Sequence, residues 1–265
     1  MLIWNILFVS ILVIIVYTTI HTHYIKVSSH KIHLGLPQPM TVVQLSDIHG
    51  KTSFINGKIS KIVNSIRPDL ILITGDLAST SKHLPKVLKE LKQLTSPNVY
   101  FVPGNYEREQ RRGLKKKILT DNEYLENVNA IRSIGKYLEN SGVKVTVNNS
   151  SVSIYGFDNS IYGLEKEDRS FLKNSDTVNI LLAHSPSIIH FIKEHNIPYH
   201  LLLTGHTHGG QIRLFDKSIG PYKDFHVGMK KIKPQSYFYI NRGIGFVKLP
   251  IRINCSPEIT VIRFD

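Results

Sequence analysis

Two histidines follow an apolar run in the segment LLLTGHTHGGQ, residues 201–211. Residues two apart on an extended chain point the same way, so the imidazoles of His206 and His208 could converge on one metal ion. The alternative is a pair of hydrogen-bonded loop histidines, because short motifs often arise by chance. Ligand-type residues elsewhere in the chain decide between these two interpretations.

Five other side chains that could bind a metal also follow apolar runs. Asp47 and His49 end TVVQLSDIHG, Asp76 ends DLILITGD, Asn105 lies in NVYFVPGNYE, and His184 lies in VNILLAHSP. The full set offers imidazole, carboxylate and amide groups without sulfur, which suits Mn, Fe or Zn in a catalytic site better than a structural zinc site. Seven ligands exceed the needs of one catalytic ion, so they predict two ions that share a carboxylate.

Each of these residues also has an ordinary structural explanation. Taken singly, Asp76 could cap a helix, Asn105 could form a turn and His184 could be a hydrogen-bonded core histidine.

The elements that must position these residues alternate between strand and helix patterns. The predicted helices cover 55–66, 82–94 and 122–140. The predicted strands cover 41–50, 69–76, 98–107, 178–186 and 201–211. Two further strands, VKVTVNN and SVSIYGF, are predicted to form a hairpin or a sheet edge. Such alternation predicts crossover connections and a largely parallel central sheet. Because ligands of open α/β sheets bind beyond the carboxyl ends of the strands, all seven side chains should meet at one sheet edge.

Composition and charge narrow the classes of partner. The 265 residues are 42% apolar, enough for one large domain with a substantial core or for two small domains. Lys and Arg number 33 against 20 Asp and Glu, and the resulting charge of +13 favours phosphorylated substrates, membrane surfaces or nucleic acid. No nucleic-acid-binding signature is evident, so we do not expect a nucleic acid partner. The single cysteine, Cys255, excludes an intramolecular disulfide and a thiolate metal cluster.

The N-terminal segment predicts a membrane anchor. Residues 2–20 contain no formal charge, and as a helix they would extend about 28 Å, close to the hydrocarbon thickness of a bilayer. Trp4 and Tyr17 lie near the ends of the segment, where aromatic rings prefer the membrane interface. A cleaved signal peptide would have basic residues before the apolar run and a small-residue site after it, and neither is evident. The first basic residues, Lys26 and Lys31, follow the segment, so the positive-inside rule places the folded domain in the cytoplasm.

The order D-x-H, G-D, G-N-x-E, H and G-H-x-H resembles that of the calcineurin-like metallophosphoesterase superfamily, from about residue 41 to the C-terminus. The tail, GGQIRLF and then INRGIGFVKLPIRINCSPEITVI (240–262), further resembles a bacterial branch of membrane-associated phosphodiesterases that includes relatives of UDP-2,3-diacylglucosamine pyrophosphatases. The resemblance implies an α/β fold, a four-layer αββα sandwich of two mixed sheets flanked by helices. We therefore expect a membrane anchor over 1–22, a juxtamembrane segment and first strand over 23–40, and a metallophosphoesterase domain over 41–265.

The resemblance also implies a dinuclear site and a reaction. Carried over by motif, Asp47, His49, Asp76 and His208 would hold one ion, and Asp76, Asn105, His184 and His206 would hold the other. The implied reaction is hydrolysis of a phosphodiester or pyrophosphate bond, in which a hydroxide shared by two divalent or trivalent ions (Mn, Fe or Zn) attacks phosphorus in line. We expect a phosphorylated small-molecule, nucleotide-linked or lipid substrate and a monomeric enzyme in the cell membrane. The alternative is a catalytically weakened protein that keeps the metals and binds a phosphate ligand.

Tyr106 is a departure from the pattern of the superfamily. Many members have a histidine after the G-N pair, where it is thought to protonate the leaving oxygen. A phenol with an ordinary pKa of about 10 is a weaker acid than imidazolium. Two interpretations stay open: Tyr106 could be the proton donor, or it could pack or contact substrate. In both cases, leaving groups that need little protonation should be favoured.

A basic run, REQRRGLKKK (108–117), begins close to Asn105. A solvated helix face explains most charge runs of this kind. Because of its place next to the predicted site, Arg108, Arg111 and Arg112 are candidate substrate-binding residues. The run could also bind anionic lipid head groups, and Lys230, Lys231 and Lys233 could contribute to the same basic surface.

Overall fold

The computed structural model describes residues 1–113, 115–172, 177–214, 217–218 and 222–265. The helices in these residues are α1 (Leu2–His23), α2 (Ile59–Ile66), α3 (Leu84–Leu91), α4 (Asp121–Ile131), α5 (Arg169–Leu172) and α6 (Ile188–Glu194), with a 3₁₀ turn at His208–Gly210. The strands are β1 (Lys26–Ile32), β2 (Met40–Leu45), β3 (Ser53–Phe54), β4 (Gly57–Lys58), β5 (Leu70–Ile73), β6 (Val99–Phe101), β7 (Glu109–Arg112), β8 (Lys115–Ile118), β9 (Lys136–Tyr137), β10 (Ser141–Val147), β11 (Ser150–Gly156), β12 (Val178–Leu182), β13 (Leu201–Thr204), β14 (Arg213–Leu214), β15 (Lys217–Ser218), β16 (Gly228–Lys233), β17 (Ser236–Ile240) and β18 (Glu258–Phe264).

Two six-stranded mixed sheets form the centre of the fold. The first has the order β1-β18-β2-β5-β6-β9, and the second has the order β10-β11-β12-β13-β17-β16. In the first sheet β2, β5, β6 and β9 are parallel, while β18 runs antiparallel to β2. In the second, β11, β12, β13 and β17 are parallel and the two edge strands are antiparallel. The parallel strands of each sheet therefore end at the same edge.

Side chains of the two sheets meet in one apolar layer. Leu70 and Leu72 from the first sheet belong to the same buried cluster as Ile180 and Leu203 from the second. The opposite face of the first sheet packs against helices α2, α3 and α4, and that of the second packs against α6. Because both faces of each sheet are covered, a strand such as β5 is apolar and buried at every position. The expected four-layer αββα sandwich is confirmed.

Several predicted boundaries were wrong. Residues 55–58 belong to the loop and second strand of the β3–β4 hairpin, and α2 begins at Ile59. Helix α4 starts at a capping box, in which Thr120 accepts from the Glu123 amide and the Glu123 side chain accepts from the Thr120 amide. It ends at Ile131 rather than at residue 140, because Gly135 packs closely on β6 and the next residues form β9 at the sheet edge.

The described residues of the basic run are not helical. Residues 109–112 and 115–118 form the antiparallel strands β7 and β8, in which Glu109 pairs with Ile118 and Arg111 pairs with Lys116. In a hairpin, neighbouring side chains point to opposite faces of the ribbon. The basic residues are therefore divided between two faces rather than gathered on one.

Helix α1 projects from the domain. Within the described residues, α1 is the one helix that is long and apolar enough to cross a membrane. None of its most apolar segment is buried against the domain. Its last turn nevertheless contacts the domain, because Thr22 is buried and lies within hydrogen-bond distance of Arg252. Strand β1 then begins at Lys26 and pairs in parallel with β18.

Candidate metal centre

All seven predicted ligands come together where strands of the two sheets end. Asp47 and His49 follow β2, Asp76 follows β5, Asn105 follows β6, His184 follows β12, and His206 and His208 follow β13. The site therefore draws on both sheets, not on one sheet edge. A hydrogen bond from His184 Nδ1 to the Thr74 carbonyl, 2.7 Å long, joins the two sheets at this point.

The first group consists of Asp47, His49 and His208, all buried, with their ligand atoms within 4.8 Å of one another. His49 Nε2 lies 3.1 Å from His208 Nε2. His208 Nε2 lies 3.3 Å from Asp47 Oδ1. The three side chains thus converge on one small volume from two different turns.

The second group consists of Asp76, His184 and His206. His184 Nε2 lies 2.9 Å from His206 Nδ1, 3.3 Å from Asp76 Oδ2 and 3.2 Å from Asn105 Oδ1. The same Asp76 oxygen lies 3.5 Å from His49 Nε2 in the first group. Asp76 therefore stands between the two groups, where a carboxylate shared by two cations would have to be.

The backbone is strained at most of these positions. Five of the seven residues have positive φ angles: Asp47 (51°), His49 (47°), Asp76 (58°), His206 (68°) and His208 (51°). Non-glycine residues rarely adopt this conformation, and it concentrates at functional sites. The turns are also packed too closely for side chains beyond those present, since a Cβ on Gly205 would lie 1.9 Å from Ser46 Oγ.

The donor set fits cations. Asp47 Oδ1 is buried and has no hydrogen-bond partner among the residues that the structure describes. Imidazole nitrogens face each other at 3.1 Å and 2.9 Å in the two groups, an arrangement in which unprotonated lone pairs would repel. A cation in each group would satisfy both the orphaned oxygen and the facing nitrogens, because carboxylates and neutral imidazoles are its usual ligands.

Electrostatics favour the metal-binding forms of most of these groups. Burial lowers the pKa of His49 to about 4. Burial, and then the charge of His184, lowers the pKa of His206 to about 3. Burial would raise the pKa of Asp76, but the adjacent His184 outweighs it and brings the pKa to about 2. Burial likewise lowers the pKa of His184, yet Asp76 raises it to about 10, so a cation bound there would displace a proton.

Hydrogen bonds outside the two groups orient the imidazoles. The Thr74 carbonyl can only accept, so His184 Nδ1 carries the proton and Nε2 faces the site. His49 Nδ1 is 2.8 Å from Ser79 Oγ, which again leaves Nε2 for the site. Such partners fix the ring and tautomer of metal-binding histidines. His206 differs, because Nδ1 faces His184 and Nε2 meets the hydroxyl of Tyr222, a residue that no sequence pattern marked.

Glu107 is a further buried residue of the site, and the sequence pattern did not indicate its role. Its carboxylate accepts the backbone amides of Asp76 (2.9 Å), Leu77 (2.9 Å) and Gly104 (2.7 Å). Burial, and then the charge of Asp76, raises the pKa of Glu107 to about 7. The acid of the G-N-x-E pattern thus ties the turn after β5 to the turn after β6.

Tyr106 is buried at the edge of the site. Its backbone amide donates to Asp76 Oδ1 at 2.8 Å, and its ring meets the ring of His49 edge-on at 5.0 Å. Burial raises the pKa of Tyr106 above its ordinary value. The side chain is therefore placed beside the candidate metal ligands but is a still weaker acid than a free phenol.

The candidate substrate-binding arginines have different surroundings. Arg108 forms ion pairs with Glu139 and Asp158 and lies over the ring of Tyr124, so its guanidinium is engaged within the domain. Arg111 donates to the Gly113 carbonyl within the hairpin, and Arg112 is exposed. No hydrogen bond or ion pair among the described residues joins Arg111 or Arg112 to the seven candidate ligands.

Lys116 is the basic side chain of the β7–β8 hairpin whose ammonium lies beside Tyr106 at the edge of the site. Its ammonium pairs with Glu109 and lies 5.2 Å from the centre of the Tyr106 ring. Glu109 also accepts a hydrogen bond from Asn105 Nδ2. A helix, which the charge run favoured, would not have placed Lys116 here; the β7–β8 hairpin decides which lysine faces the ligands.

The sequence matches the family described as calcineurin-like phosphoesterase over residues 40–210. The chain belongs to this family. The Caenorhabditis elegans protein F40B5.2, which is named a metallophosphoesterase, is 30% identical over 236 residues, 84% of this chain and 48% of that protein, so the chain spans about half of that relative. The uncharacterized metallophosphoesterase YkuE of Bacillus subtilis is 29% identical, over 90% of this chain and 85% of that protein.

Two further comparisons concern the membrane and the fold. A Bos taurus relative, named a transmembrane protein with metallophosphoesterase domain, is 27% identical over 83% of this chain and 52% of its own length. The crystal structure of a 5'-nucleotidase precursor from Thermus thermophilus superposes with a TM-score of 0.50 at 14% identity, covering 78% of this chain and 49% of that one. The superposition agrees with the assignment of the fold.

Proposed function

We propose that the protein is a membrane-anchored phosphoesterase that uses two metal ions to hydrolyse a phosphodiester or pyrophosphate bond of a lipid- or nucleotide-linked substrate. The observation that carries the proposal is the placement of Asp76 Oδ2 within 3.5 Å of imidazole nitrogens from both groups. A phosphate-binding role alone would not need two such groups joined by one carboxylate. Membership of the family supports hydrolysis of a phosphoester.

The two groups would hold the ions in the following way. Asp47, His49, Asp76 and His208 would hold one, and Asp76, Asn105, His184 and His206 would hold the other, with Mn, Fe or Zn as suitable metals. Bound there, the pair of cations would supply a nucleophilic hydroxide at neutral pH and neutralise charge on the phosphoryl oxygens. The protein itself would orient the ligands: the Thr74 carbonyl accepts a hydrogen bond from His184 Nδ1, and Glu107 accepts one from the Asp76 amide.

Lys116 is the side chain that we assign to the substrate. Its ammonium lies at the edge of the site, next to Tyr106 and bound to Glu109. A phosphate entering the site would compete with Glu109 for this ammonium and would gain a charge-assisted hydrogen bond. Arg111 and Arg112 stay candidates for more distant parts of an anionic substrate, while Arg108 holds the domain together through its ion pairs.

The weak acidity of Tyr106 indicates which leaving groups the site should favour. Because burial raises its pKa, its hydroxyl is a poor proton donor near neutral pH. The site therefore favours leaving groups that depart as stable anions, such as the phosphate of a pyrophosphate linkage or an activated aryl oxide. The same weakness favours the alternative function, a protein that retains the metals and binds a phosphate ligand with little turnover.

Helix α1 indicates where in the cell the proposed enzyme acts. Its length, its composition and its lack of burial support a single-pass anchor in the cell membrane. Lys26 and Lys31, which follow the helix, favour the cytoplasmic face for the catalytic domain. We propose that the enzyme acts as a monomer on substrates at or near this membrane.

The test is an assay of the full-length protein purified in detergent and loaded with Mn. Substrates would be a bis-aryl phosphodiester, an aryl phosphomonoester and a nucleotide-sugar pyrophosphate, with Asp47→Asn as the inactive control. We expect turnover of the diester or the pyrophosphate above that of the control. Tight, metal-dependent phosphate binding without turnover of any substrate would establish the alternative function instead.

A further inference from the structure

A short loop beside α1 exposes two large apolar side chains. In residues 248–251, Lys-Leu-Pro-Ile, the side chains of Leu249 and Ile251 are 58% and 42% exposed. Single exposed apolar residues are common on soluble proteins and need no explanation. This pair is different because of where it lies relative to the apolar part of α1.

Contacts with α1 fix the height of the loop along the helix. The amide of Arg252, directly after the loop, donates to Thr22 Oγ1 at 2.9 Å. Asn254, two residues further on, is hydrogen-bonded to the hydroxyl of Tyr17. Since the apolar run of α1 continues to Ile20, Tyr17 lies about 4.5 Å inside its end. The surface that follows the loop therefore reaches the level of the membrane interface whenever α1 spans the bilayer.

The loop is held in shape by one side chain. Gln211 Nε2 donates to the carbonyls of Leu249 (2.9 Å) and Ile251 (3.3 Å), and Gln211 Oε1 accepts the amide of Val247 at 2.7 Å. A loop fixed in this way loses little conformational entropy when its side chains enter another phase. The backbone amide of Gln211 donates to the His208 carbonyl at 2.9 Å, so hydrogen bonds connect the loop to a turn of the candidate metal centre.

The chemistry of the loop matches a lipid surface. Its apolar side chains flank a proline and adjoin the exposed Lys248, and the amphipathic ring of Tyr17 lies nearby. Apolar side chains enter the boundary between head groups and acyl chains, while lysine stays with the phosphates. We propose that residues 248–251 insert into the membrane interface beside α1, and that this second attachment fixes the orientation of the metal centre relative to the bilayer.

The proposal rests on α1 as the membrane anchor but not on the proposed catalytic activity. Tryptophan fluorescence in the full-length chain tests it, because Trp4 is the single tryptophan. In a Trp4→Phe background, Leu249→Trp places a probe in the loop. The matched control is Leu125→Trp, at a residue of α4 that is 52% exposed. Both proteins would be reconstituted into phosphatidylcholine vesicles with and without bromine on the acyl chains.

We expect brominated lipid to reduce the emission of Leu249→Trp at least twofold and iodide to reduce it little, with the reverse for Leu125→Trp. Ile251→Trp serves as a second probe and should behave like Leu249→Trp. Iodide quenching of both loop probes, as strong as that of the control, would overturn the proposal. Loop probes shielded from iodide but insensitive to bromine would also overturn it, since a second copy of the chain, not lipid, would then cover the loop.

Discussion

Tyr106 is the residue at which this chain departs from the pattern of the superfamily that it resembles, and under the proposed function it should determine how the rate depends on the leaving group. With a pKa raised by burial, its hydroxyl cannot neutralise much of the negative charge that develops on the departing oxygen. The rate for aryl phosphodiesters should therefore depend steeply on the pKa of the leaving phenol. Tyr106→His should accelerate poor leaving groups by up to roughly a hundredfold and change good ones little.

Tyr106→Phe is the matched control for this series, because it keeps the ring against His49 and removes the hydroxyl. We expect it to follow the wild type across the whole range of leaving groups. All three proteins would be compared at equal metal content. A flat wild-type dependence that neither substitution alters would show that the position has no part in proton transfer.

Lys116 allows a separate prediction about substrate binding. Lys116→Met should raise KM for an anionic diester about tenfold, equivalent to about 1.4 kcal/mol, because the phosphate loses its cation and meets a Glu109 carboxylate whose charge Lys116 no longer neutralises. Lys115→Met, at the preceding exposed residue of β8, is the control and should leave KM unchanged. Equal effects of the two substitutions would mean that only the general charge of the hairpin matters.

Glu107 connects two of the turns that carry candidate ligands. Glu107→Ala would leave three buried amides without an acceptor, each at a cost of about 1–3 kcal/mol. We expect a loss of several kcal/mol in the free energy of unfolding together with a lower metal content, and Glu107→Gln should lie between Ala and wild type. Chemical denaturation and metal analysis would be compared with Glu126→Ala, at an exposed residue of α4. Stability and metal content equal to those of the control would show that the hydrogen bonds of Glu107 contribute neither to folding nor to metal binding.

The sequence predicts those elements whose environment is uniform. Strands such as β5 and β13 are buried at every position because they are covered on both faces, and each is followed by a residue that an apolar core cannot accept, Asp76 or His206. The placement of seven candidate ligands follows from these strand ends. Where pairing depends on distant partners, the prediction failed: residues 136–137 form β9 because β6 is beside them, and local helical periodicity carries no information about that neighbour.

The same reason explains the residues that the sequence did not reveal. Arg108 was a candidate for substrate, yet its partners Glu139 and Asp158 lie 31 and 50 positions away. Tyr222 meets His206 from a segment without any recognisable pattern. Neither contact has a local signature, so only the fold could show that Arg108 is paired and that Tyr222 lies at the site.

For the whole molecule, we expect α1 to attach the protein to the membrane and the domain to keep its activity without α1. The full-length chain should sediment with membranes and resist extraction by carbonate at high pH. A chain lacking residues 1–20 keeps Thr22 and its bond with Arg252, and it should be soluble and retain activity on a soluble aryl diester. Recovery of the intact full-length protein in the soluble fraction would contradict the anchor.

The central claim is that one carboxylate, Asp76, joins two cation sites into one catalytic centre. The most direct measurement is the metal content per chain of wild type and Asp76→Asn, determined on the same samples as the rate of diester hydrolysis. We predict two ions per chain in the wild type, and in Asp76→Asn a loss of at least one ion and a fall in rate beyond the roughly 10–100-fold that loss of an outer hydrogen-bonding partner costs. Two bound ions and near-normal turnover in Asp76→Asn would contradict the account.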